Sequence, residues 1–168
     1  KILTETETTE LFGPPIFNSN DQRFFFTLND AELKQSKKIR DRNQRCMFVV
    51  LLGYFKAKPV MLSPGYQQVK QDLKYVCKEV FPGSGIRPFN LTQKARVRTY
   101  ERIFKLIGYQ RWQEQLHSAE LIRDLNEQAL AWIQPRSLFD RAIEFLSAHK
   151  VAIPGYTVMH DLIGEVVR

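Results

Sequence analysis

Cysteine and histidine are scarce in this chain of 168 residues, at two and three. Two cysteines, Cys46 and Cys77, are too few for a secreted disulfide scaffold, and with His117, His149 and His160 they make no zinc-ligand spacing. A disulfide framework and a structural zinc site are therefore excluded as the devices that organise the fold. Both thiols fall inside apolar helical patterns and are expected to be buried small hydrophobes in a reducing compartment. No apolar run reaches the ~18 residues of a membrane span and no signal-peptide pattern is present, so a soluble intracellular protein without a membrane partner is expected. Alternating strand patterns are nearly absent as well, which removes sheet architectures.

Chemistry-bearing motifs are equally thin. Gly83-Ser84-Gly85 lacks the lysine and spacing of a phosphate-binding loop and reads as a turn. Glu114, Glu120, Asp124 and Glu127 share one helix, where a solvated acidic face explains them. Aromatic residues make up 12% of the chain, but Phe24-Phe25-Phe26, Trp112 and Trp132 sit in apolar patterns that favour core packing. No catalytic residue, metal, cofactor or small-molecule substrate is expected, and the chain is read as having no enzymatic chemistry of its own.

Basic charge is abundant and unevenly placed. Lys and Arg number 25 against 18 Asp and Glu, a formal net charge of +7. Two short blocks hold 13 of the 25: Lys34, Lys37, Lys38, Arg40, Arg42 and Arg45 with one acid, Asp41, and seven cations between Arg87 and Arg111 with one acid, Glu101. The first 33 residues and those from 112 onward are acidic on balance. Solubility alone is served by interspersed signs, so segregation of this kind points to a polyanionic partner.

Helical start and stop signals recur along the whole chain. Expected helices run from Thr4 to Phe12, from an Asn29 cap into the Lys34–Arg45 block, from about Asp41 to Lys56, and from Tyr66 to Phe81. Others run from Thr92 to Gly108, Gln113 to Ile133, Pro135 to Lys150, and Thr157 to Val167. The third is apolar almost all round and marks a central core helix. The fold class is thus all-α, a compact bundle of about eight helices with helix-turn-helix-like elements. One domain over residues 1–168 is expected, with 1–85 and 86–168 as sub-units if it divides.

The Thr92–Gly108 helix carries the strongest functional signal. At about 100° per residue, Val97, Tyr100, Ile103, Phe104 and Ile107 fall on one arc, and Lys94, Arg98, Arg102 and Lys105 on the other. Such a helix docks by its apolar face and presents a cationic ridge that neutralises several phosphates as counterions are released. If its start enters a major groove, Asn90, Thr92, Gln93 and Lys94 reach base edges, with Arg96 beside them, while Arg98, Arg102 and Lys105 hold phosphates. The Lys34–Arg45 block, at a helix junction, is a second candidate phosphate clamp. The alternative for either is a solvated helix face. Thr157, Met159 and His160, near Arg136, Arg141 and Lys150, form a further helix-turn-helix candidate whose acidic neighbours favour a packing role.

Five stretches together resemble a known family: Ile2-Leu3-Thr4 through Glu10 to Pro15; Phe26-Thr27-Leu28-Asn29-Asp30; Arg42-Asn43-Gln44-Arg45 leading to Phe48 and Tyr54-Phe55-Lys56; Arg96 through Gly108-Tyr109; and Ile153-Pro154-Gly155-Tyr156-Thr157 leading to Leu162-Ile163. In this order they are similar to the N-terminal DNA-binding region of transposases from bacterial class II replicative transposons, the Tn-three family. The resemblance implies sequence-specific binding of double-stranded DNA at the terminal inverted repeats, in the bacterial cytoplasm at the nucleoid. It also implies that strand cleavage belongs to a metal-dependent DDE domain much farther along a longer protein, of which this chain is an N-terminal fragment. Self-association is expected through that full-length protein. Two readings of other classes stand beside it, an RNA-binding helical domain and a protein-interaction or dimerisation module.

Overall fold

Asparagine caps set the second and third helices of the computed structural model, which describes residues 2–129 and 134–168. Helix α1 spans Glu5–Phe12, α2 Ser19–Phe25 and α3 Asp30–Lys37. The Asn18 side chain accepts from the Asp21 N–H at 2.8 Å and the Asp21 carboxylate accepts from the Asn18 N–H at 3.0 Å. Asn29 and Glu32 repeat this reciprocal box at 2.8 and 2.9 Å, satisfying N–H groups that a helix start leaves without partners. The box at Asn29 agrees with the sequence pattern. The one at Asn18 opens a short helix that the pattern did not disclose, because its seven residues are too few to show periodicity.

Helices α4 (Arg42–Ala57), α5 (Tyr66–Tyr75), α6 (Gln93–Ile107), α7 (Glu114–Ala129), α8 (Pro135–Ala148) and α9 (Tyr156–Val166) follow. Among the described residues the fold is all-helical, with nine α-helices rather than eight and no strand. Trp132 and Ile133, expected in the α7 pattern, lie outside the described residues.

The chain divides into two compact units, Gly13–Ile107 and Lys1–Phe12 joined with Gly108–Arg168. The division falls at residue 107 rather than 85 because α6 packs on α3 and α4 and so stays with the helices before it.

In the 13–107 unit α4 is central. Every residue from Cys46 to Phe55 is buried, and the helix packs against α2, α3, α5 and α6, which is why it is apolar on all sides. Gly53 permits the approach of α2: a Cβ there would sit 2.6 Å from the Phe26 ring and 3.0 Å from the Phe25 carbonyl. Polar groups in this interior are matched. Buried Asp72 accepts hydrogen bonds from the Tyr54 hydroxyl and, at 2.9 Å, from Gln22 Nε2, and buried Glu32 pairs with Lys56 at 2.7 Å. Burial, with the Asp72 carboxylate beside it, pushes the Tyr54 phenol above its ordinary range. The sulfurs of Cys46 and Cys77 lie 3.8 Å apart as free thiols, and burial first, the neighbouring thiol second, pushes Cys46 up to about 12. Helix α5 ends in a π-helical turn, Val76–Val80, where the Phe81 N–H reaches back to the Val76 carbonyl at 2.9 Å.

In the other unit α7 packs on α8 and α9, burying Leu121, Leu125, Phe139, Leu146, Met159 and Ile163. Phe12 ties α1 to them, its ring meeting those of Phe139 and Tyr156 with centroids 6.3 and 5.6 Å away. Extended backbone at Gln110 pairs in parallel with Val151, through Gln110 N–H to Lys150 O at 2.8 Å and Ala152 N–H to Gln110 O at 2.7 Å. Two expected core residues are instead on the surface. Leu116, at the first turn of α7, is 59% exposed, and Phe24 is 75% exposed because only Phe26 of its triplet is fully enclosed.

Candidate nucleic-acid interface

Helix α6 is divided as its sequence pattern requires. Ala95, Thr99, Tyr100, Ile103 and Phe104 are buried, with Phe104 5.5 Å from the Phe55 ring of α4, whereas Lys94, Arg98 and Lys105 are exposed. The Thr92 hydroxyl accepts from the Ala95 N–H at 3.1 Å and caps the start; Gly108, at φ 73°, takes the left-handed conformation that ends the helix. Between Lys94 and Lys105 the ridge runs ~16 Å along the axis, about five nucleotide steps of duplex.

The two basic blocks meet. Lys38, just past α3, faces Arg98, Arg102 and Lys105 of α6 across a groove of about 360 Å³ also lined by Gln35 and Glu101. Arg102 Nη1 donates to Gln35 Oε1 at 3.4 Å, which orients the guanidinium from within. Lys38, Arg98 and Lys105 have no acidic partner among the described residues, so their charge faces solvent. Lys34, Lys37 and Arg40, on α3 and just beyond it, and Gln93 and Lys94, at the start of α6, are all exposed.

Five other candidates are engaged in holding the fold. Arg42 donates from Nε to the Ser84 carbonyl at 2.9 Å and from Nη2 to the Phe81 carbonyl at 2.8 Å, fastening the chain that leaves the π-helical turn. Arg45 donates to the Ile39 and Arg40 carbonyls at 2.9 and 3.1 Å, with its guanidinium over the Phe81 ring. Arg96 donates to the Met61 and Leu62 carbonyls at 3.0 and 3.2 Å and covers Tyr100, whose hydroxyl bonds the same Leu62 carbonyl at 2.7 Å. Asn90 accepts from the Tyr66 N–H at 3.2 Å, and Thr92 is the cap described above. Part of the expected phosphate clamp at the α3–α4 junction is thus spent on carbonyls, which bind guanidinium groups by the same charge-assisted hydrogen bonds a phosphate would offer.

Gln35 and Glu101 are the groove residues that sequence reasoning did not assign. Glu101 stood out only as the single acid of its block, and Gln35 carried no signal. At the other helix-turn-helix candidate Met159 is buried, Arg136 pairs with Glu7 and Asp140, and Arg141 pairs with Asp124 at 2.9 Å and Glu144 at 3.9 Å. The Arg136 guanidinium holds the Glu7 carboxyl below its ordinary value. Among the described residues no group of three or more His, Cys, Asp or Glu is placed to hold a metal ion, and no helix is long and apolar enough to cross a membrane.

These features describe an all-helical chain with a cationic groove built by a split-face helix. Residues 2–166 match the model of a family described as a domain of unknown function, DUF4158, and the chain belongs to that family. No curated protein and no solved structure matches it.

Proposed function

We propose that this chain binds double-stranded DNA at the terminal inverted repeats of a transposon and positions there a transposase of the Tn-three type, leaving strand chemistry to another part of that protein. The observation that carries the reading is the convergence of Lys38, Arg98, Arg102 and Lys105 on one groove, none of them with an acidic partner among the described residues. Exposed, unpaired cations on a rigid helix are the arrangement that releases counterions from a duplex, and the resemblance of the five sequence stretches supplies the kind of DNA. Lys34, Lys37 and Arg40 add phosphate contacts; Gln93 and Lys94, at the start of α6, are the polar side chains placed to read bases.

The test is binding of the protein to a fluorescent duplex carrying the terminal inverted repeat that flanks its gene, against a scrambled duplex, at about 0.15 M salt. Affinity for the repeat higher by roughly a thousandfold is expected. With about six phosphates neutralised, log affinity falls with log salt at a slope of roughly −5. Equal binding to both duplexes would reduce the groove to a nonspecific cationic surface. Absence of binding to either would hand the chain to the protein-interaction reading, and preference for structured RNA to the RNA-binding one.

A further inference from the structure

A second groove, of about 330 Å³, runs along α5 and its π-helical turn, and none of its residues belongs to the α3–α6 groove. One wall is the helix, where Tyr66, Lys70, Lys74 and Lys78 recur every four residues; the other is the loop of Pro82, Gly83, Gly85 and Ile86. Four helical residues advance ~6 Å and rotate only ~40° beyond a full turn, so these side chains form a row. None of the three lysines has an acidic partner among the described residues, and neither Asp72 nor Glu79, the acids nearest them in sequence, lines the groove. The floor is apolar, formed by Leu73 and Cys77, which are almost wholly buried. Gly83 and Gly85 contribute no side chain, which leaves the mouth open.

Lysines solvated on a helix would account for the charge but not for the apolar slot beside it. A row of ammonium groups about one turn apart, with an apolar floor and a phenol ring at one end, has the chemistry of a site for unpaired nucleotides: phosphates along the cations, a base against the ring. Duplex fits less well, because its bases are turned inward and cannot enter the slot. We propose that the α5 groove binds a single-stranded segment of nucleic acid, with Lys70, Lys74 and Lys78 on successive phosphates and one base stacked on Tyr66. This site stands independently of the duplex-binding reading.

The experiment is fluorescence anisotropy with a labelled oligothymidylate of about eight nucleotides, within the size range one such surface covers. Wild type is expected to bind with a log–log salt slope of about −2, as three single-strand phosphates require. Lys70→Gln, Lys74→Gln and Lys78→Gln combined should weaken binding about tenfold or more and flatten that slope, and Tyr66→Leu should weaken it about fivefold. Both variants should melt like wild type and bind duplex as wild type does. The proposal is overturned if wild type does not bind the oligonucleotide or if the triple variant binds it unchanged. It is also overturned if Arg98→Ala with Lys105→Ala abolishes binding, since the strand would then lie in the other groove, or if adenosine monophosphate at equal nucleotide concentration displaces the oligonucleotide, since the site would then be one for free nucleotides.

Discussion

The two units of this chain use arginine in opposite ways. The unit Gly13–Ile107 holds 18 Lys and Arg against 7 Asp and Glu, a formal +11; the unit made of Lys1–Phe12 and Gly108–Arg168 holds 7 against 11, a formal −4. In the acidic unit Arg136 and Arg141 are each matched by carboxylates. In the basic unit the arginines divide between two duties: Arg42, Arg45 and Arg96 serve backbone carbonyls, whereas Arg98 answers to no group of its own unit and faces solvent beside Lys38 and Lys105. A count of positive charge is therefore not a count of available charge. What makes a surface attractive to a polyanion is the fraction of its cations that the protein itself leaves unsatisfied.

Reversing that fraction should break the comparison most severely. Arg98→Glu with Arg102→Glu is expected to weaken duplex binding by about a hundredfold or more, about 2.7 kcal/mol, and to flatten the salt slope, while Arg136→Ala with Arg141→Ala leaves affinity within about twofold. Similar losses from both pairs would show that net charge, not unpaired charge, governs binding. Stability should respond in the reverse sense. Arg42→Ala removes charge-assisted bonds to the half-buried Phe81 carbonyl and the exposed Ser84 carbonyl and is expected to cost about 2 kcal/mol in denaturant unfolding, whereas Arg98→Ala should cost less than about 0.5. Equal costs would erase the distinction between inward and outward arginines.

Alkaline pH sharpens the contrast in another way. Burial raises the phenols of Tyr54 and Tyr100, both in the basic unit, above the value near 10 they have in the unfolded chain. Their stabilising effect is fully present below about pH 10 and is lost as pH climbs toward the folded-state values, because only the unfolded phenols then ionise. Each tyrosine should remove about 1.4 kcal/mol per pH unit above that point, and Tyr100→Phe should abolish one share of the slope. A pH-independent unfolding free energy between pH 10 and 11 would contradict this. The smallest effect is expected at Glu101, the acid lining the α3–α6 groove. Glu101→Gln should tighten duplex binding about two- to threefold, read in the same anisotropy titration.

The split face of α6 was legible in the sequence because amphipathicity is a local, periodic property: Tyr100, Ile103 and Phe104 went inward and Lys94, Arg98 and Lys105 outward as their spacing required. The core position of α4 was legible for the same reason. The groove itself was not, since Gln35 and Arg102 are 67 residues apart and no pattern connects them. Nor was the inward turn of Arg42, Arg45 and Arg96. Their partners are carbonyls of residues 39, 40, 61, 62, 81 and 84, and every residue has a carbonyl, so the sequence carries no mark of which ones need a donor. The surface position of Leu116 and Phe24 escaped because hydrophobicity reports preference, not placement.

Phe12 packing on Phe139 and Tyr156 means that α1, made before α8 and α9, completes its contacts only after they are made. During synthesis the whole of residues 13–107 emerges before any of its partners exists, and that stretch has its own interior to close around α4. The Glu7–Arg136 pair spans 129 residues, so closing this unit requires joining two segments that residues 13–107 separate in sequence. The order of translation thus favours the basic unit, while the acidic one must wait for the ribosome to deliver its last helices.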